Sequence, residues 1–441
     1  MITRASLQFL ATVVALLLAL WVLVLPGASD DARALETESS VPGQIVVKLA
    51  PGVGIGDLNL RGYGLRVQER FLNRTNTDIY LLKVTDGASE QSKLEAVLGT
   101  PLVTYAELNY LSSAPEAGGR HRAFPAGDVT PSTRNYSKNA SYSDSALNLT
   151  AAREIDRGEG MTVAVLDTGA QLDHPALKKR FAGVPRYDFV DDDPDPSEPS
   201  LAAPLEQSQE VVGHGTHVAG IVKLVVPEAR IMPLRVLDRE GSGTTFHVAE
   251  AIAYANVNGA NVINLSLGTP EWSRLMREKV VRAIDAGSVV VAAAGNDNTS
   301  LRREYPASRS ALLTASAGDG LLAVTSVSPT EKKSDFANYG KWVDIAAPGE
   351  EILSTYPTNK YAYWSGTSMA TPFVAGEAAL IKGVNGSLGP ARVEERIRLG
   401  ARCVDQKNEP VHWGMLGAGH ADVEASLRQV EGPHCISVVS P

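Results

Sequence analysis

The stretch AVLDTGAQLDH, residues 164–174, decides how the rest of this chain is read. An apolar, β-rich run ends in Asp167-Thr-Gly, which presents a carboxylate on a turn just beyond a strand. Two kinds of catalytic site present an Asp this way. One pairs two such carboxylates across a shared proton and therefore needs a second Asp-Thr-Gly or Asp-Ser-Gly. The other uses one Asp to orient a histidine beside a serine nucleophile. The 441 residues contain no second copy, so the paired-carboxylate reading would require a homodimer. The plainest alternative is that Asp167 is only a turn residue, and the choice passes to its partners elsewhere in the chain.

Working outward, the residues from about Leu147 alternate short apolar runs with helical patterns: MTVAVLDTG, HGTHVAGIVKLV, ARIMPLRVLD, HVAEAIAYANVNG, ANVINLSLG, SRLMREKVVRAIDAG and SVVVAAAGN. Strands that are apolar throughout and separated by helices indicate a parallel sheet covered on both faces. The expected fold class is therefore α/β, a doubly wound, mostly parallel sheet. Ligands of such sheets bind beyond the C-terminal strand ends. Asp167 ends MTVAVL, Ser266 and Gly268 follow NVINL, and Asn296 follows SVVVAAAG, so several strand ends offer polar groups to one rim. A homodimeric carboxylate site does not suit this pattern.

Towards the N-terminus, Met1-Ile2-Thr3-Arg4 precedes a nearly unbroken apolar run from Leu7 to Leu25 and then PGASDD, where a signal peptidase could cut near Ala28 or Ser29. Residues 1–29 are read as a signal peptide, with retention as a membrane anchor through 7–25 as the alternative. Either places the protein outside the cytoplasm. After a polar lead at 30–40, GQIVVKLAP, LRVQERF and TDIYLLKV read as strands. SEQSKLEAVLGT reads as a helix with Leu94, Val97 and Leu98 on one face, and LVTYAELNYL as a last strand. This is a small α+β domain at 41–112. Residues 113–145, rich in Ala, Gly, Pro, Ser and Asn, read as an exposed linker, 146–430 as the large domain and 431–441 as a tail. The formal net charge of −9 and the lack of any Lys/Arg block exclude a nucleic-acid footprint. Cys403 and Cys435 are the only cysteines. In an exported chain they pair as a disulfide or remain two buried thiols.

Two further motifs supply the partners of Asp167. GHGTHVAG at 213–220 sets His214 and His217 on the first turn of a helix, and SGTSMATPFVAG at 365–376 sets Ser368 where a Gly-containing turn enters a helix. A hydroxyl there lies at the helix end that favours developing negative charge. Zinc is the rival for the two histidines, but Gly215 and Thr216 leave no base between them. His217 is expected to be a buried, hydrogen-bonded residue.

On these three motifs and the AAAGND segment, residues 147–425 resemble the subtilisin-type serine proteases, the subtilase family. The segment 41–112, ending in VTYAELNYLSSA, is similar to the inhibitor-like propeptides of secreted members. The resemblance implies that Ser368 is the nucleophile, His214 the general base and acid, Asp167 its orienting carboxylate and Asn296 the oxyanion-hole donor. It also implies that substrate backbone pairs between EGSGT, with Gly241, Ser242 and Gly243, and NLSLG, with Leu265, Ser266, Leu267 and Gly268. The pocket for the residue before the scissile bond would lie around Ala293 and Gly295. There Glu304, just before Tyr305, would favour Lys or Arg, unless it only pairs with Arg302 or Arg303.

No cofactor is expected for catalysis. One calcium site of relatives looks absent, since Ala176 follows His174-Pro175 and the helix runs directly into IVKLVVPEARI. The loop YDFVDDDPDPSE offers Asp188, Asp191, Asp193 and Asp195 as oxygen ligands for a structural Ca²⁺, or is a solvated acidic loop. The function implied is a secreted, monomeric serine endopeptidase made as a zymogen, acting on proteins or peptides and held in check by its own propeptide. The alternative is a catalytically silent binding protein of the same fold. A broken triad would favour that alternative, and all four catalytic letters are present.

Overall fold

The computed structural model describes residues 39–73, 77–117, 124–125, 141–199, 211–301, 304–308, 319–433 and 435. The apolar run 7–25, most of the linker and the end of the tail fall outside them. Among the described residues no helix is long and apolar enough to cross a membrane.

Four antiparallel strands, β1 (Ser40–Leu49), β2 (Leu65–Arg70), β3 (Ile79–Val84) and β4 (Val103–Ser113), form the N-terminal sheet in the order β2-β3-β1-β4. Side chains alternate across a strand, and β1 uses both faces. Ile45, Val47 and Leu49 pack under the Glu90–Leu98 helix through Leu94 and Val97, while Val46 faces the opposite way. Leu98, expected on the buried face, is 48% exposed, because it closes the last turn before Gly99 ends the helix.

The large domain is built on seven parallel strands in the order β13-β12-β11-β10-β6-β8-β7. These are β6 (Thr162–Asp167), β7 (Tyr187–Asp188), β8 (Arg230–Arg235), β10 (Val262–Leu265), β11 (Val289–Ala293), β12 (Leu321–Val327) and β13 (Ile345–Pro348). Their apolar continuity is explained by burial on both faces. Val163, Val262, Val289 and Leu322 face the His214–Val225 and Thr367–Val384 helices. Ala164, Ile263, Val290 and Leu321 face the Thr245–Val257 and Arg274–Asp285 helices. A small antiparallel sheet joins β5 (Phe124–Pro125), β14 (Ile352–Tyr356) and β15 (Lys360–Trp364). Cys403 and Cys435 form a disulfide with Cα atoms 4.9 Å apart.

The two domains share one interface. Val46, Phe71, Leu81 and Tyr105 of the N-terminal sheet pack on Phe246, Ala249 and Leu275, and Phe71 meets Phe246 edge to face at 5.7 Å. Alternate residues of β4 reach two helix starts of the large domain. Glu107 accepts the Arg274 and Leu275 N–H groups and the Ser273 hydroxyl, and Asn109 Oδ1 accepts Phe246 N–H. The first N–H groups of a helix have no intrahelical acceptor, so β4 caps both helices. Beyond them, Leu111, Ser112 and Ser113 pair antiparallel with β9 (Ser242–Thr244). The chain expected to begin a linker at 113 thus remains strand and then buried loop through Glu116.

One core residue breaks the apolar pattern. Glu377, in the Thr367–Val384 helix, is fully buried, and the Ser426 hydroxyl is the one nearby group that favours its charged form, without reaching good hydrogen-bond geometry. Burial pushes its carboxyl up to about 8, with Asp422 acting in the same direction. The folded state keeps this proton where the unfolded chain, near 4.5, gives it up. Stability from this site is therefore present at low pH and lost as pH rises from 4.5 towards 8, by about 1.4 kcal/mol per pH unit. In a Ser368→Ala background, Glu377→Gln should raise Tm at pH 8 and lose that advantage near pH 5, as read by calorimetry.

Candidate active site

The site is assembled at strand ends. Asp167 closes β6, and the Thr168 N–H donates to its Oδ1 at 2.8 Å. The same oxygen lies 2.7 Å from His214 Nδ1. His214 is the first residue of the His214–Val225 helix. Gly215 permits this approach, because a Cβ there would stand 2.1 Å from Gly169 O and 3.0 Å from Asp167 Cβ. His217 is buried one turn on, its Nε2 at 3.0 Å and 3.1 Å from the Ile352 and Ala362 carbonyls. Burial pushes its imidazole down to about 3, so it stays neutral. It is a packing residue, as expected.

Ser368 sits in the first turn of the Thr367–Val384 helix. Pro372, four residues on, has no N–H to offer the Ser368 carbonyl, and that oxygen instead accepts the Ser266 hydroxyl at 2.9 Å. The turn after β10 is thereby tied to the nucleophile's backbone. Asn296 follows β11, and its Oδ1 accepts both the N–H and hydroxyl of Thr367 at 3.0 Å. The side-chain N–H₂ of Asn296 is thus held pointing into the site.

What these groups face is a carboxylate. Glu116 Oε2 accepts the Ser368 hydroxyl at 2.6 Å and lies 3.0 Å from His214 Nε2, while Oε1 accepts Asn296 Nδ2 at 2.9 Å. All four residues are buried. A Cβ on Gly366 would fall 1.7 Å from Glu116 Oε1, so the glycine before the helix leaves the room this oxygen needs. Burial opposes a charged His214, but Asp167 and then Glu116 outweigh it and hold the imidazolium up to about 10. Burial likewise works to raise Glu116, and His214, Ser368 and Asn296 together draw its carboxyl below the ordinary value. The pair is an imidazolium–carboxylate ion pair.

The segment that delivers Glu116 lies along the predicted substrate strands. Ser113 exchanges both backbone bonds with Gly268, its N–H donating at 2.8 Å and its carbonyl accepting at 3.0 Å, and the Ala114 N–H donates to Gly241 O at 2.9 Å. Gly241, Ser242, Gly243 and Gly268 therefore meet an extended chain. Leu265 and Leu267 are core residues, and Ser266 O accepts the Ser368 hydroxyl at 3.2 Å. Glu304 reaches between two glycines, with Oε2 3.0 Å from a Cβ built on Gly268 and Cγ 2.7 Å from one on Gly295, beyond Ala293 at the end of β11.

The four loop aspartates lie in one tight turn, with Asp188 and Asp193 exchanging backbone bonds. Asp188 and Asp191 both accept Arg235 Nη1, at 2.6 Å and 2.5 Å. Asp193 accepts Asp195 N–H, and Asp195 accepts the Ser197 hydroxyl. A guanidinium thus pairs with two of the four carboxylates expected to face a cation.

Two site residues escaped the sequence reading. Glu116 stands in SSAPEAGG, which has the composition of a linker and shows no motif. Glu198 lies beyond the acidic loop, and its carboxylate takes the Gly213 and Thr216 N–H groups and the Thr168 hydroxyl. It caps the His214 helix and ties it to the Asp167 turn. Only the general preference for a carboxylate near a helix start could have suggested it.

Comparison with known proteins agrees with this geometry. Residues 158–419 match the family model described as the subtilase family, and residues 26–109 match the fervidolysin N-terminal prodomain. The thermophilic serine proteinase of Bacillus sp. (strain AK1) is 38% identical over 319 residues, covering 70% of each chain. Thermitase of Thermoactinomyces vulgaris is 41% identical over 256 residues, 56% of this chain and 83% of that one. The crystal structure of fervidolysin from Fervidobacterium pennivorans superposes with a TM-score of 0.68 over 89% of this chain and 62% of its own. At 22% identity that likeness speaks for the fold. The chain belongs to the subtilase family of serine proteases and carries the prodomain of that kind ahead of its catalytic domain.

Proposed function

We propose that this protein is an exported serine endopeptidase made as a zymogen, in which Asp167, His214 and Ser368 form and hydrolyse an acyl-enzyme. The observation that carries the reading is the convergence of His214 Nε2, the Ser368 hydroxyl and Asn296 Nδ2 on one carboxylate. Once Glu116 leaves and the Nε2 proton it shared with His214 is lost to water, Ser368 Oγ attacks the peptide carbonyl, and the neutral His214 takes the hydroxyl proton and returns it to the departing amine. Asp167 Oδ1 holds the Nδ1 proton and stabilises the imidazolium. Asn296 Nδ2 and the Ser368 N–H, at a helix start, face the oxygen that becomes negative. Export is inferred from the apolar run 7–25.

Ser368→Ala should abolish both peptide hydrolysis and self-processing, a loss of about 10⁶ in turnover. Asn296→Ala should cost about 10²–10³, with little change in KM; both figures were measured on a member of this family. Single-turnover and steady-state assays on a peptide ester check them. A chain that folds, loses its prodomain to added protease and remains inert would instead be a silent binding protein.

The prodomain is read as the inhibitor, with Glu116 as its latch. Part of the rise in His214 is due to Glu116 and disappears on opening, so the closed latch binds the imidazolium proton more tightly. Closure is therefore favoured while His214 is protonated and weakens as pH climbs towards its closed-site value of about 10. Wild-type self-processing should accelerate over that range. Glu116→Gln should process faster at pH 7 and with a flatter profile, as followed by gel and intact mass.

Glu304 is read as a specificity residue. Its carboxylate lies between Gly268, which pairs with an extended chain, and Gly295, beside the Asn296 donor. A cationic substrate side chain entering between those glycines would meet it. Glu304→Gln should lower kcat/KM for Lys or Arg before the scissile bond by about tenfold, or 1.4 kcal/mol, and leave Leu or Phe substrates unchanged in a peptide library. A library profile unaffected by the substitution would remove Glu304 from the specificity site.

A further inference from the structure

Where strand β2 of the prodomain meets the catalytic domain lies a second cluster of ionisable groups, unused by the mechanism above. His247 and Glu250 are three residues apart on the Thr245–Val257 helix, so both leave the same face. Glu69, on β2, faces them from the prodomain, with Oε2 3.3 Å from His247 Nε2. One donor atom from each of the three lies within 4.8 Å of the other two. Glu250 is 2% exposed and accepts the Leu72 N–H at 2.5 Å. Glu69 and His247 are 25% and 22% exposed. The cluster opens on a cavity of about 370 Å³ whose wall adds the Asp192 carboxylate.

Glu69 and Glu250 approach one another from two domains, and both line the cavity. Two carboxylates pressed together across a partly dry interface need positive charge between them, which a shared proton supplies in part and a divalent cation in full. One imidazole nitrogen and two carboxylate oxygens form a three-ligand set suited to Zn²⁺, with water from the cavity able to complete four-coordination. Ca²⁺ and Mg²⁺ take oxygen ligands and would leave the imidazole unused.

We propose that Glu69, His247 and Glu250 form a divalent-cation site of the Zn²⁺ class that fastens the prodomain to the catalytic domain. An ion bound there would bridge a prodomain carboxylate to a helix of the catalytic domain. Because the ligand set exists only while the two are docked, metal binding favours the docked state by mass action. Loss of the prodomain removes Glu69 and leaves a two-ligand remnant.

The test uses the full-length Ser368→Ala chain, freed of metal with a chelator, titrated with ZnCl₂ by calorimetry and followed by thermal unfolding. The expected result is one saturable Zn²⁺ per chain and a rise in Tm, with affinity weakened about tenfold or more in His247→Ala and in Glu69→Gln. Both positions are partly exposed, so the variants keep the fold, which circular dichroism verifies. The absence of saturable binding, or equal binding in both variants, overturns the proposal. If Zn²⁺ adds nothing to the parent while metal-free Glu250→Gln is more stable, the cluster is a shared-proton pair and the metal site is likewise overturned.

Discussion

One buried carboxylate organises the catalytic centre of this zymogen. Glu116 is bonded to Ser368, His214 and Asn296, the proposed nucleophile, base and oxyanion donor, each from a different strand or helix end. Burying such a charge is expensive unless it is paired and fully hydrogen-bonded. Here the imidazolium of His214 supplies the countercharge, and Ser368 and Asn296 supply charge-assisted bonds, the strong class. The parallel sheet brings those partners to one rim, and the pairing of β4 with β9 and of Ser113 with Gly268 brings the carboxylate to them. Substrate groove, prodomain strand and triad thus depend on one another through a single side chain.

The carboxylate also explains why an uncut chain can rest in a groove shaped for cleavage. Its Oε1 accepts Asn296 Nδ2, and its Oε2 stands between Ser368 and His214, so on the proposed mechanism it would fill both the oxyanion position and the path of the proton. The groove is filled by backbone pairing, while the chemistry is stopped by a side chain. Recognition and inhibition are carried by different atoms of the same segment.

The sequence made the fold class and the family readable because each depends on local signals. Apolar strands between helical periods mark a parallel sheet, and Asp167, His214, Ser368 and Asn296 each stand in a motif of several residues. Most of the misses were non-local. The role of Glu116 depends on strand pairing with residues more than a hundred positions away, and nothing in SSAPEAGG announces it. Arg235 closes on Asp188 and Asp191 from a different strand, a pairing that the spacing of the loop does not announce. Leu98 obeyed the helical period but is the last residue of its helix, where the covering face runs out, a local miss beside the non-local ones. Periodicity gives the face of an element and does not give where its neighbours stop.

The two helix caps on β4 reach beyond inhibition. Glu107 and Asn109 satisfy N–H groups at the starts of the Arg274–Asp285 and Thr245–Val257 helices, and those helices pack on one face of the central strands of the seven-stranded sheet. A parallel sheet gains little until distant strands and their covering helices have come together, so a template that presents both helix ends in register lowers the entropy lost on the way there. After the template departs, water must take over those N–H groups, and the matured domain keeps a structure it would be slow to reach again unaided. Its persistence would then be governed by the height of the barrier to unfolding more than by the depth of the folded well.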